Sequence, residues 1–178
     1  MSTNAFKAVI DIDVLGTFNT IKATIPHLLK SDDARIIYVS ATFHFTGMPF
    51  QAHVSAAKAA IDSLCASVAL EYGPRGVQSN VISPGPIADT EGMSRLAPDG
   101  GSSSEFIKSI PSGRLGTVKD VADATVYLFS GAGSYVNGQI IPVDGASWRR
   151  QSSMMIGENE AMVYPDVLLG GSPAKSKL

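Results

Sequence analysis

An ammonium set among alanines is the first feature with chemical potential. Lys58 lies in Ser55-Ala56-Ala57-Lys58-Ala59-Ala60, where small side chains let a neighbouring element approach and leave the cation partly desolvated. The plainer alternative is a surface lysine paired with Asp62, one helical turn on. The alanine-rich setting favours a buried functional role. Asp13 opens an apolar-periodic run, a position that suits a helix N-cap. Pro84-Gly85-Pro86-Ile87-Ala88-Asp89-Thr90 follows an apolar run. It reads as a turn at a strand's carboxyl end, where ligands of open α/β sheets bind. Arg95 follows closely and is either an anion contact or a solvated loop cation. His27, His44 and His53 lack metal-ligand spacing, so no metal is expected. Cys65 is the only cysteine and reads as a small buried helix residue. Tyr38 lies within a strand-like run and reads as core.

These groups need elements to hold them. Val14, Phe18, Ile21, Ile25, Leu28 and Leu29 recur at helical spacing and predict a helix over Asp13–Lys30, loosened near Pro26. Arg35–Ser40 is a short β-branched and aromatic run, read as a buried strand. Ala57, Ile61, Leu64 and Val68 mark one face of a helix over Ala52–Tyr72, stopped by Gly73-Pro74. Val77–Ile82 predicts a second strand. Residues 98–104 predict a flexible loop, and Thr117 a cap for a helix over Val118–Phe129. Tyr135–Val143 leads into a last strand ended by Asp144-Gly145, and the tail from Trp148 reads as irregular. Strands alternating with helices predict an α/β fold with a parallel sheet. Only three strands are visible, and no Gly-x-Gly-x-x-Gly loop occurs. The expectation is a partial Rossmann-type, doubly wound sheet lacking its N-terminal glycine-loop half. Residues 1–148 form the domain part and 149–178 the tail.

The 178 residues are 44% hydrophobic and 17% charged, enough apolar content for one core. A net charge of −2 argues against nucleic acid as a partner. Met1–Lys7 lacks the plan of a signal peptide. No apolar run approaches the ~20 residues of a membrane span. The chain ends in Ser176-Lys177-Leu178, a peroxisomal import address. The preceding Gly170-Gly171-Ser172-Pro173-Ala174-Lys175 is expected to expose it to an import receptor.

Five segments in order resemble the short-chain dehydrogenase/reductase family: Asp13–Phe18, Ile37–Thr42, Ser55–Ala60, Asn80–Ile87, and Tyr135–Gly138 with Val143-Asp144-Gly145. That family places a tyrosine four residues before the helix lysine, and here the position is Val54. Its serine position is Ala41, beside Ser40. An alcohol-dehydrogenase mechanism with a phenol as acid/base is therefore not expected. The departure resembles the peroxisomal 2,4-dienoyl-CoA reductases, which lack the tyrosine and carry an aspartate at the position of Asp13. Ser40–His44, Asp62 and Thr90-Glu91-Gly92 are similar to the same subgroup, and the terminal tripeptide agrees with it.

The resemblance implies NADPH as cofactor and an unsaturated fatty acyl-CoA as substrate, reduced to a 3-enoyl-CoA in the peroxisome. It implies that Asp13 orients a proton-donating water and that Lys58 binds the nicotinamide ribose. It implies that Pro84–Thr90 contacts the nicotinamide end and that Arg95 contacts the CoA phosphates. It further implies a homo-oligomer built through helices 13–30 and 52–72. On the order of a hundred residues of the family pattern precede what this sequence contains, so the chain alone is expected to bind cofactor poorly. Two alternatives stand beside this reading: a non-catalytic interaction subunit that pairs with full-length reductase, and another enoyl-thioester reductase of the same family.

Overall fold

The computed structural model describes residues 1–97 and 103–150. Its first helix is longer than the periodicity indicates. Ser2 caps it by accepting a hydrogen bond from the Ala5 N–H at 3.2 Å. The backbone then runs without a break through α1 (Thr3–Val9), a π-wound segment (Ile10–Leu15) and α2 (Gly16–Leu28). Asp13 is therefore interior to a continuous helix, and its N-cap alternative is overturned. Pro26 sits near the end of α2, where Leu29 N–H still reaches Ile25 O.

Three parallel strands follow in the order β1 (Ala34–Val39), β2 (Val77–Pro84), β3 (Ile140–Val143). Ala34 pairs with Val77 and Val39 with Ile82, while β3 joins β2 from Val81 to Pro84. Only the end of the run 135–143 is strand. Tyr135 is fully exposed. Asn137 Oδ1 instead accepts from Ser79 N–H at 2.8 Å, tying the turn before β3 to β2.

The strands are joined by helices, as parallel pairs require a crossover connection. The long α4 (Ala52–Tyr72) has the limits its sequence indicates. It buries Ile61, Cys65 and Val68 against Ile21 and Ile25 of α2 and Tyr38 and Val81 of the sheet, and Ala57 is buried on the same helix. On the opposite face, α7 (Val118–Phe129) contacts all three strands and buries Leu128. Thr117 and Asp120 form a reciprocal capping box at its start.

Four short helices carry too few residues for a periodic signal: α3 (Phe43–Thr46), α5 (Glu91–Leu96), α6 (Ser104–Lys108) and α8 (Ser147–Arg150). α6 shortens the loop expected over 98–104, of which 98–102 lie outside the described residues. α8 corrects the reading of an irregular chain from Trp148 onward. The remaining tail, with Ser176, Lys177 and Leu178, lies outside the described residues.

Among the described residues, no strand pairs with the outer edge of β1. Ser40 N–H donates to Ile82 O, so by alternation the backbone groups of Ile37 and Val39 face away from β2. The expected parallel α/β sheet is present, with one edge open.

Candidate active site

Two elements deliver the candidate chemistry to one place. The π-wound turn carries Asp13 and packs against α4, which carries Lys58. Lys58 Nζ lies 3.4 Å from Asp13 Oδ2, with the side chains 21% and 29% exposed. This is longer than the usual 2.7–2.9 Å of a charged hydrogen bond, so each group keeps capacity for a ligand or water. Lys58 also donates to Val39 O at 3.3 Å, at the end of β1's open edge. The alternative pairing of Lys58 with Asp62 is not formed, because Asp62 pairs with His44. A π turn inside an α-helix is common at functional sites, since the extra residue redirects a side chain. Nothing in the spacing of apolar residues reveals it.

Asp13 and Lys58 line a cleft of about 510 Å³ between the first helix and β1. Ile12, Gly16, Thr17, Thr20, Ile21 and Thr24 form one wall; Ile36–Val39 and Ile61 form the other. The cleft thus has two characters. One end holds an ion pair at the carboxyl end of β1; the rest runs along unpaired strand backbone.

The Pro84–Thr90 loop leaves the carboxyl end of β2. Gly85 N–H donates to Val143 O at 3.0 Å, Gly116 N–H to Pro86 O at 3.0 Å, and Ala88 N–H to Gly116 O at 2.8 Å. A Cβ on Gly85 would stand 2.5 Å from Asp144 Cβ, so only glycine lets the loop lie this close. Asp89 has φ 58°, a left-handed conformation that aspartate tolerates better than most residues. Thr90 Oγ1 accepts from Met93 N–H at 3.2 Å and caps α5. The loop is therefore fixed from three sides. The hydroxyls of Ser40 and Ser83, at the ends of β1 and β2, are buried without a hydrogen-bond partner.

The other candidates fall elsewhere. Arg95 is exposed on α5 and ion-paired with Glu91, so an anion would compete with that carboxylate. Tyr38 is buried in the core, and burial pushes its phenol up, as suits a packing residue. Cys65 is free and buried. Among the described residues, no group of histidine, cysteine or carboxylate side chains is arranged to hold a metal. No described helix is long and apolar enough to cross a membrane.

Comparison with known proteins follows the same outline. Residues 1–146 match the family described as Enoyl-(Acyl carrier protein) reductase. The chain belongs to the short-chain dehydrogenase/reductase family. It is 53% identical over 175 residues to a peroxisomal 2,4-dienoyl-CoA reductase of Saccharomyces cerevisiae, covering 98% of this chain and 58% of that one. A peroxisomal 2,4-dienoyl-CoA reductase of Danio rerio is 40% identical over 148 residues, covering 83% of this chain and 49% of the relative. The chain spans about half the length of the curated relatives it matches. A gluconate 5-dehydrogenase from Burkholderia cenocepacia, solved with NADP and tartrate, superposes with a TM-score of 0.76 at 28% identity, covering 83% of this chain and 57% of that one. A 3-oxoacyl-[acyl-carrier protein] reductase from Brucella melitensis superposes with a TM-score of 0.74 at 32% identity, covering 83% of this chain and 55% of that one. The partial Rossmann-type sheet expected from the sequence is thus the shared part of a short-chain dehydrogenase/reductase fold.

Proposed function

We propose that this chain carries the proton-donating half of an NADPH-dependent 2,4-dienoyl-CoA reductase. The observation that supports it is the meeting of Asp13 and Lys58 at 3.4 Å beside the carboxyl end of β1, in a family member whose phenol position is Val54. The relatives named above as 2,4-dienoyl-CoA reductases support the substrate class. The nucleotide-bound fold relatives support a nicotinamide cofactor.

The residues present fit the nicotinamide end of such a cofactor. Lys58 has donors to spare for ribose hydroxyls. The loop of Pro84, Gly85, Pro86, Ile87, Ala88, Asp89 and Thr90 is pinned at the edge where ligands of open α/β sheets bind. No Gly-x-Gly-x-x-Gly loop for the pyrophosphate occurs in the 178 residues. When bound, NADPH supplies a hydride for the far carbon of the conjugated dienoyl thioester. The electron pair moves through the diene onto the thioester carbonyl as a dienolate. Asp13 holds a water by accepting one of its protons in a hydrogen bond. The Lys58 ammonium favours negative charge at the same place. That water gives its other proton to the α-carbon, leaving a single double bond between the β- and γ-carbons, and the resulting hydroxide is neutralised by solvent. Arg95 is assigned to the CoA phosphates, at the expense of its pair with Glu91.

The labelled reaction tests this directly. In D₂O with NADPH, the product carries solvent deuterium at the α-carbon only. A 2-enoyl product would favour another enoyl-thioester reductase. Calorimetry of the isolated chain with NADPH is expected to show binding weaker than micromolar; micromolar affinity would contradict the assignment of a partial site.

The second reading, an interaction subunit, draws on what the helices expose. Ile12, Leu15 and Phe18 are 72%, 49% and 47% exposed, and Ala56, Ala59 and Ala66 expose small residues along α4. Homo-oligomerisation through helices 13–30 and 52–72, or pairing with full-length reductase, would cover both. Peroxisomal residence is proposed from Ser176-Lys177-Leu178 as ligand of the import receptor and from the peroxisomal names of the relatives. A fluorescent fusion that stays peroxisomal without its last three residues would contradict that address.

A further inference from the structure

A buried histidine–carboxylate hydrogen bond one turn beyond Lys58 has no part in the chemistry above. His44 Nε2–H, on α3, donates to Asp62 Oδ2, on α4, at 2.7 Å, with the side chains 9% and 8% exposed. Asp62 Oδ1 is buried and has no hydrogen-bond partner. A carboxylate in that setting is costly without its cationic or donor partner, so the pair forms as a unit or not at all.

What the pair reaches is the start of the Pro84–Thr90 loop. His44 lies two residues after Thr42, which is buried and donates its N–H to Pro84 O at 3.0 Å. The His44 ring meets Phe45 edge-on at 4.4 Å, and Phe45 meets Trp148 edge-on at 5.2 Å. Trp148 N–H donates to Asp144 Oδ2 at 2.9 Å, and Asp144 is the residue against which Gly85 packs. Asp62 is thus linked through His44 by two routes to the start of the Pro84–Thr90 loop, at Pro84 and Gly85. Lys58 sits one turn from Asp62 on the same helix.

We propose that His44 and Asp62 are a positioning pair, fixing the Pro84–Thr90 loop and the Phe45–Trp148 stack relative to Lys58. The proposal rests on the reading of Lys58 and that loop as parts of one site. Neither member of the pair touches the reacting atoms; a small displacement of the loop from Lys58 is enough to cost turnover by an order of magnitude or more.

The test uses Asp62→Asn, His44→Leu and His44→Gln, the last of which keeps a side-chain donor. Trp148 is the only tryptophan, so its emission reports the stack without reference to activity. In the 178-residue chain, Asp62→Asn and His44→Leu are expected to shift that emission to longer wavelength and to abolish the downfield imidazole proton of His44. His44→Gln is expected to keep the emission. In the active holoenzyme the first two lower kcat about tenfold or more, with KM for acyl-CoA little changed, and the double variant is no worse than either single one. His44→Gln recovers most of kcat. Wild-type emission in Asp62→Asn overturns the proposal. So does a displaced stack with unchanged kcat per folded site, folding being checked by circular dichroism. Should Asp13→Ala turn over normally while the Trp148 signature stays intact, the acid–base reading fails and the pair stands as a structural clamp.

Discussion

Lys58 divides its donors between a strand carbonyl and a carboxylate, and each contact has a different consequence. The bond to Val39 O anchors the ammonium at the end of β1; the looser contact with Asp13 sets the local charge. Lys58→Met keeps the alkyl stem and removes both. Steady-state kinetics should then show kcat/KM reduced on the order of a hundredfold or more, with thermal stability nearly unchanged. Cys65 gives a residue-scale prediction of another kind. Burial pushes its thiol up, a rise that a hydrogen bond from the Ser79 hydroxyl partly offsets. The unfolded chain therefore loses the thiol proton first, and folding stability falls as pH rises past about 8.5. Cys65→Ala should lose less of its melting temperature between pH 8 and pH 10 than the parent does. Lys58 stood out as a residue because its alanine neighbours mark it, whereas Asp13 was singled out by the family resemblance, its neighbours pointing only to a helix cap. The Asp62–His44 pair was not legible, because a bond between positions 44 and 62 depends on how α3 folds back on α4.

Elements were legible in proportion to their length. α4 and α7 repeat an apolar face over several turns and end at clear stops, so their limits follow from pattern alone. α3, α5, α6 and α8 are too short to show a period. The extension of the first helix to Thr3 was hidden because Thr3–Val9 buries no residue, leaving no apolar stripe to read. The π turn was hidden for a related reason, since one extra residue per turn shifts the phase that the periodicity is meant to reveal. The cap of α7 offers a test. Thr117→Ala removes the hydroxyl that accepts from Asp120 N–H and should lower stability by about 1 kcal/mol in denaturant titration. Asp120 is held far below the usual carboxylate range, first by Arg114 and then by the Thr117 N–H and hydroxyl. Its contribution is therefore present above the unfolded value of about 3.9 and is lost as pH falls through the lower folded value. Between pH 5 and pH 2 the melting temperature of the parent should fall more steeply than that of Asp120→Asn.

At the scale of the molecule, the governing feature is an open parallel edge. A parallel sheet is normally buried on both faces and continued on both sides. Here Val39 is 57% exposed, and the backbone groups of Ile37 and Val39 face a cleft in place of another strand. Such an edge recruits other chains. Sedimentation velocity of the isolated chain should show self-association that Val39→Lys reduces. The open edge was foreseeable, because three strands are fewer than a doubly wound sheet contains. The cleft was not, because its shape depends on where the first helix lies across β1.

The most direct test is a double-mutant cycle on Asp13 and Lys58 in the active holoenzyme, read as kcat/KM for a 2,4-dienoyl-CoA. The two side chains are expected to act as one unit, so Asp13→Ala alone removes most of the activity and adding Lys58→Met removes little more. Near-normal turnover by Asp13→Ala, or strictly additive losses, would contradict a site in which this carboxylate and this ammonium together deliver the proton.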